Sequence, residues 1–324
     1  MLAAILTGCT QEYQSAGPTV RKAAIEGDVF IMPDDQPLRV RITDAVGPPR
    51  AAVLALHGIN DYGHAFQEAA ARWANEGIVT YAYDQRGFGA NARPGIWPGA
   101  ETLVSDLGHA ASLVRARHPD LPLYLVGESM GSAVIMASLG GDSPPAVDGA
   151  VLGAPAVWAR PTMSGSYQRV LSGMRSMMPG LVLRGSGLGR QATDNIDVLI
   201  AMGRDPLVIK GARVDAIAGL VDLMDAAYHA APNIRTPLLV LFGKRDEIVP
   251  RRAVALTVAR MTNNPVIAVY EKGWHMLYRD LNSPILQNDV RHWIMKGGRD
   301  LPSGADDQRG YLLDETASAA GKPS

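Results

Sequence analysis

Cysteine is all but missing. The 324-residue chain carries one, Cys9, so neither a disulfide nor a cysteine-based zinc site can form within it. No run of 18 apolar residues occurs, which excludes a hydrophobic membrane-spanning helix. Neither sign of charge dominates. Lys and Arg number 31 against 32 Asp and Glu, for a formal net charge of −1, so the basic footprint of a nucleic-acid binder is lacking. Nothing repeats at a fixed period. What remains is an ordinary globular composition, 47% hydrophobic and 19% charged, able to bury a large core. The length suits two domains, or one large α/β domain with an insertion.

Short apolar runs punctuate the chain: AAVLAL (51–56), IVTYAY (78–83), PLYLV (122–126), GAVLG (149–153), PLLVLF (237–242) and PVIAVY (265–270). Most do not alternate polar with apolar residues, the pattern of strands covered on both faces in a parallel sheet. Helical patterns lie between them, at 64–76, 102–118, 130–140, 250–260 and 284–296. In the second, Leu103, Leu107, Ala111 and Val114 share a face and Pro119 ends the segment. DVFIM and LRVRIT alternate and predict a leading antiparallel hairpin. Strand–helix alternation over this length predicts a doubly wound α/β fold with a mostly parallel sheet and helices on both faces.

The alternation breaks between about 157 and 232, a stretch rich in Met, Gly and Leu. It predicts an inserted helical cap over the carboxyl edge of the sheet. The expected organisation is a leader and tether at 1–24, a core at 25–156 and 232–298, a cap at 157–231, and a loose polar tail at 299–324.

One turn carries the chemistry. Gly127-Glu128-Ser129-Met130-Gly131 follows the strand LYLV and precedes the helical MGSAVIMASL. A G-x-S-x-G sequence at a strand-to-helix turn is a nucleophile elbow, with a strained serine and glycines where side chains would collide. A serine hydroxyl needs a base. Downstream of Ser129 stand only His229, in the inserted region, His292, in a predicted helix, and His275, in the loop EKGWHML after the strand PVIAVY. His275 sits at the sheet edge that holds Ser129 and is the candidate base. Asp246, just past LVLFG, is the candidate acid that would orient the imidazole, with neighbouring Glu247 as the alternative. The backbone N–H groups of Met130 and Ile59 are the candidate oxyanion donors, and His57 is read as a brace for the second of these loops. This chemistry requires no metal and no organic cofactor.

LALHGINDYGHAF, YAYDQRGFGANARPG, LVGESMGSAV, LVLFGKRDEIVP and EKGWHML occur in an order that resembles the α/β-hydrolase superfamily over roughly residues 50–280, and within it the monoacylglycerol lipase and lysophospholipase-like members. NIDVLIAMGRDPLVIKG is similar to the cap of those lipases. The resemblance implies an α/β-hydrolase fold, Ser129, Asp246 and His275 as nucleophile, acid and base, Ile59 and Met130 at the oxyanion, and a small-molecule ester or lipid substrate. The chain departs from the lipases in carrying Asp61-Tyr62 where they often have Glu-His, and Phe88 where they often have histidine, which bears on the acyl or head group. Met174, Met177, Met178, Leu181, Val182 and Leu183 read either as an acyl-chain surface or as the cap's own packing.

Two other readings share the fold. A peptidase of the prolyl-aminopeptidase kind would need acids in the cap to hold an amine, for which Asp194, Asp197 and Asp205 are candidates. A non-catalytic binding protein would be expected to lack a triad member, and none is missing. At the N-terminus, Leu6-Thr7-Gly8-Cys9 resembles the lipobox of bacterial lipoproteins, with the polar TQEYQSAGPT behind it. That resemblance implies lipidation at Cys9, membrane association and a place in the bacterial cell envelope. The positive n-region of a signal peptide is lacking, and without lipidation the chain would be cytoplasmic. Acyl length, natural substrate and oligomeric state are not legible.

Overall fold

A computed structural model of the chain describes residues 10–184 and 189–314, and Cys9 lies outside the described residues. The leading residues form β1 (Ala24–Glu26), β2 (Val29–Ile31) and β3 (Pro37–Thr43), paired antiparallel as the alternation predicts. The apolar runs become β4 (Ala51–Leu56), β5 (Ile78–Tyr83), β6 (Leu123–Glu128) and β7 (Gly149–Gly153). After a small ribbon of β8 (Val182–Leu183) and β9 (Ala212–Arg213) come β10 (Leu238–Gly243) and β11 (Val266–Tyr270).

The main sheet runs β1-β2-β3-β5-β4-β6-β7-β10-β11, and its last six strands are parallel. Every residue of β4, β5, β7 and β10 is buried, which is why these runs are continuously apolar. Register brings their carboxyl ends level, with Leu56 opposite Gly127, Glu128 opposite Gly153 and Gly243 opposite Tyr270.

The helices are α1 (Gln67–Ala74), α2 (Ala100–Arg117), α3 (Met130–Leu139), α4 (Gly165–Met177), α5 (Ile196–Arg204), α6 (Val214–Ala230), α7 (Arg251–Val258) and α8 (Ser283–Lys296). Side chains of α2, α3, α6 and α7 build the apolar core on one face of the sheet, and those of α1 and α8 the core on the other. All residues of α3 except Ala137 are buried, so it shows no polar face. Enclosure on all sides favours each large apolar chain there by about 1.5–3 kcal/mol over exposure.

Three segments depart from expectation. The predicted cap at 157–231 is too long. Its last helix, α6, belongs to the core, where Ala216, Val221, Leu223 and Ala227 are buried with α3 side chains. The polar stretch after Cys9 is not a free tether from Glu12 on. Glu12 N–H donates to Asp215, Gln14 N–H to Trp97 O (2.9 Å) and Ala16 N–H to Thr102 Oγ1 (3.1 Å). The tail is docked as far as Asp314. Leu301, Ala305 and Leu312 are buried, Ser303 donates to Asp289, and Tyr311 stacks against Phe242 with Arg251 over its ring. A few well-placed apolar side chains suffice to seat a segment whose average composition is polar.

Candidate active site

Ser129 sits where β6 turns into α3, with φ 53° and ψ −113°, a conformation L-residues adopt only under constraint. Backbone bonds impose it. Ser129 N–H donates to Gly153 O (2.9 Å), and Ser129 O accepts from Ala133 and Ala156. The flanking glycines are required by close approach. A Cβ at Gly131 would lie 2.1 Å from Leu56 O, and one at Gly127 2.5 Å from Ser132 N.

His275, in the loop after β11, turns Nδ1 to Asp246 Oδ2 at 2.9 Å. The carboxylate is fully covered, and its other oxygen accepts from the N–H groups of Ile248 (2.8 Å) and Val249 (3.0 Å). Nδ1 therefore carries the proton, and Nε2 is left as the basic nitrogen. Burial pulls the imidazole pKa down. Asp246, Glu128 and Asp280 together outweigh this, Asp246 most of the three, so the net shift is upward from 6.5. Glu247 does not compete, because its carboxylate accepts from Gln191 N–H at 2.7 Å. His229 is bonded to Asp225 O on α6, and His292 lies on α8; neither lines the cavity that holds Ser129 and His275.

His57 braces as expected. Nε2 accepts from Gln85 N–H (2.9 Å), so Nδ1 carries the proton and donates to Gly58 O (2.7 Å). Burial keeps this ring neutral by lowering its pKa. The loop it holds lies against the elbow, where a Cβ on Gly58 would be 3.4 Å from Ser129 Cβ. Among the described residues, the N–H groups of Ile59 and Met130 have no hydrogen-bond partner. Met130 is at the first position of α3, where the helix dipole also favours negative charge.

Ser129 and His275 open onto one cavity of about 620 Å³. Trp158, Tyr167, Val170, Met174 and Leu183 line its walls, and Leu220 and Met224 of α6 complete them. Of the cap's Met and Leu cluster, Met174 and Leu183 therefore face the cavity, whereas Met177, Met178, Leu181 and Val182 are exposed outside it. The three cap aspartates do not line it. Asp194 accepts from Leu281 N–H, Asp205 from Tyr62 OH, and Asp197 lies in the first turn of α5.

Sequence reasoning missed two features beside His275. Arg279, its side chain 10% exposed, lies between Asp61 (2.5 Å) and Glu128 (3.0 Å). Asp280 accepts from Thr193 Oγ1 (2.6 Å) and from Trp274 N–H (2.7 Å). The second belongs to a seam along residues 191–195. There Ala192 O accepts from Met276 N–H (2.9 Å) and Asn195 Nδ2 donates to Arg279 O (3.0 Å). The only sequence signal was charge within five residues of the motif histidine. Among the described residues, no group of His, Cys, Asp and Glu is placed to hold a metal.

Comparison with known proteins finds similar chains among monoacylglycerol lipases. Residues are 27% identical to the monoacylglycerol lipase of Mycolicibacterium smegmatis over 250 positions, covering 76% of this chain and 89% of that one. Human monoglyceride lipase is 26% identical over 275 positions, covering 81% and 86%. The fold superposes on a soluble variant of the Saccharomyces cerevisiae monoglyceride lipase with TM-score 0.69 at 16% identity, over 90% of this chain and all of that one. For the Paleococcus ferrophilus monoacylglycerol lipase the TM-score is 0.64 at 20% identity, over 81% and 99%. The model of the family described as serine aminopeptidase, S33, matches residues 47–282, a span that takes in the elbow, the acid loop and the histidine loop, and the chain belongs to that family of α/β-hydrolases.

Proposed function

We propose that this serine hydrolase cleaves carboxylic esters of the monoacylglycerol type through an acyl-enzyme on Ser129. Ser129 Oγ attacks the ester carbonyl while His275 Nε2 takes its proton. Asp246 holds the imidazole and stabilises the imidazolium. The oxyanion is received by the N–H groups of Ile59 and Met130, each such donor being worth about 3–4 kcal/mol of transition-state stabilisation. His275 then protonates the departing alcohol. A water that returns its proton to His275 releases the fatty acid and regenerates Ser129.

The observation that carries this reading is the elbow serine, with a carboxylate-bound imidazole beside it, at the floor of an apolar cavity of about 620 Å³. Such walls suit an acyl chain. The names of the curated relatives supply the glycerol ester. A peptidase reading lacks support, because the acids that line the cavity, Asp61 and Glu128, are already paired with Arg279. Two carboxylates against one guanidinium also favour an uncharged head group over a phosphate, hence monoacylglycerol over lysophospholipid.

The test is a fluorophosphonate probe with a substrate panel. The wild type should be labelled and Ser129→Ala should not, and monoolein should turn over faster than lysophosphatidic acid or a proline arylamide. Equal labelling of Ser129→Ala would overturn the reading. We further propose that Cys9 is lipidated and anchors the enzyme in a bacterial envelope, supported by Leu6-Thr7-Gly8-Cys9. Incorporation of an alkyne fatty acid into the wild type but not into Cys9→Ser tests this.

A further inference from the structure

Three loops must be held in mutual register for this chemistry: the oxyanion loop after β4, the elbow after β6 and the histidine loop after β11. Ser129 and His275 do not hold each other, for no hydrogen bond joins them in this geometry. One guanidinium touches all three loops. Arg279 follows His275 by four residues. Its Nη2 donates to Oδ2 of Asp61, two residues beyond Ile59, at 2.5 Å, and to Oε2 of Glu128, adjacent to Ser129, at 3.0 Å. Among the described residues no other side-chain hydrogen bond connects the histidine loop to either of the other two.

The arrangement is largely enclosed, with both carboxylates buried. The Arg279 side chain is 10% exposed, those of Asp61 and Glu128 6% and 3%. Asp61 is itself oriented, its Oδ1 accepting from Tyr62 N–H at 2.9 Å. Among the described residues, Glu128 Oε1 and Arg279 Nε are buried with no protein partner. Both bonds to the carboxylates come from one nitrogen, Nη2, while Nη1 reaches Met202 Sδ of α5 at 3.7 Å, so the planar group is itself held in place as it joins the two carboxylates.

We propose that Arg279 is a positioning residue, its guanidinium fixing the oxyanion loop, the nucleophile and the base relative to one another. The proposal rests on the roles given above to Ser129 and His275. It requires no contact between Arg279 and the reacting atoms. An error of about 1 Å in such an arrangement costs about 10²-fold in rate.

The experiment compares the wild type with Arg279→Met, Arg279→Lys, Arg279→Ala and the charge-neutral triple variant Asp61→Asn/Glu128→Gln/Arg279→Met. It uses p-nitrophenyl butyrate, whose leaving group lacks a glycerol head, and reads kcat, KM and the rate of fluorophosphonate labelling. Arg279→Met should lose about 10²-fold in kcat and in labelling rate with KM within about threefold. Arg279→Lys should recover part of the loss, and added guanidinium should partly rescue Arg279→Ala. The triple variant relieves the unpaired charges and should fold, yet stay slow.

Recovery of wild-type kcat by the triple variant would overturn the proposal, leaving charge relief as the whole effect. A raised KM at unchanged kcat in Arg279→Met would do the same, assigning Arg279 to substrate contact. If Arg279→Met fails to fold, the triple variant and the guanidinium rescue carry the decision. A wild type inactive on esters would instead fail the hydrolase reading itself, which separates the two outcomes.

Discussion

Replacing Asp280 with Asn should stabilise the protein, and only at high pH. Burial raises the Asp280 carboxyl from 3.8 to about 7, with Asp194 and Glu128 adding to the effect, against the lowering by its bonds from Thr193 and Trp274. The folded state therefore holds a proton that the unfolded chain has released over most of this interval. Stability falls as pH rises from near 4 and levels off above about 7. The shift is about 3 units at about 1.4 kcal/mol each, so the ionised carboxylate costs the fold up to ~4 kcal/mol above neutrality. At pH 5 little more than one unit has been lost. Asn keeps both contacts, because its oxygen can accept from Trp274 N–H while its amide donates to Thr193 Oγ1. Urea unfolding of wild type and Asp280→Asn at pH 5 and pH 9 isolates the group, since all other titrations are shared. Water entry and side-chain relaxation reduce such figures, so the advantage of Asn should grow by ~1–3 kcal/mol between the two pH values. An advantage that stays constant, or shrinks as pH rises, would refute the reasoning.

Asp246→Asn should lower kcat by about 10⁴-fold while Glu247→Gln stays within about threefold, measured by ester hydrolysis. Because the His275 pKa is raised from 6.5 and the imidazole must be neutral to take the Ser129 proton, kcat/KM should fall as pH drops through a value above 6.5, read from a pH–rate profile. Gly131→Ala should destabilise by about 2–4 kcal/mol in urea and slow labelling of Ser129, since its Cβ would meet Leu56 O, a backbone atom that cannot move aside. Leu220→Trp should fill part of the cavity and lower the ratio of kcat/KM for a C16 over a C4 monoacylglycerol about tenfold or more.

What was legible in the sequence was local. The strands were continuously apolar because both faces are covered, and Gly127, Ser129 and Gly131 reported a backbone geometry that few other residues tolerate. Order along the chain was enough to pick out His275 and Asp246. What was not legible depended on distant partners. The small residues of 214–230 say nothing of packing on α3, so the sequence alone leaves that helix within one helical insertion at 157–231. The segment 299–314 is polar on average, and its docking turns on Leu301, Ala305, Tyr311 and Leu312 finding places prepared by other elements. Arg279 pairs with residues 218 and 151 positions away, a meeting that only the fold arranges.

The seam at residues 191–195 makes the roof of the cavity lopsided. On that side, Gln191, Ala192, Thr193, Asp194 and Asn195 are each bonded to the acid loop or to residues 276–281, so lifting it would drag the imidazole out of place. On the other side stands α4, none of whose residues is buried. Displacing α4 would therefore cost less than displacing the 191–195 side, and would leave the bonds that hold the histidine loop untouched.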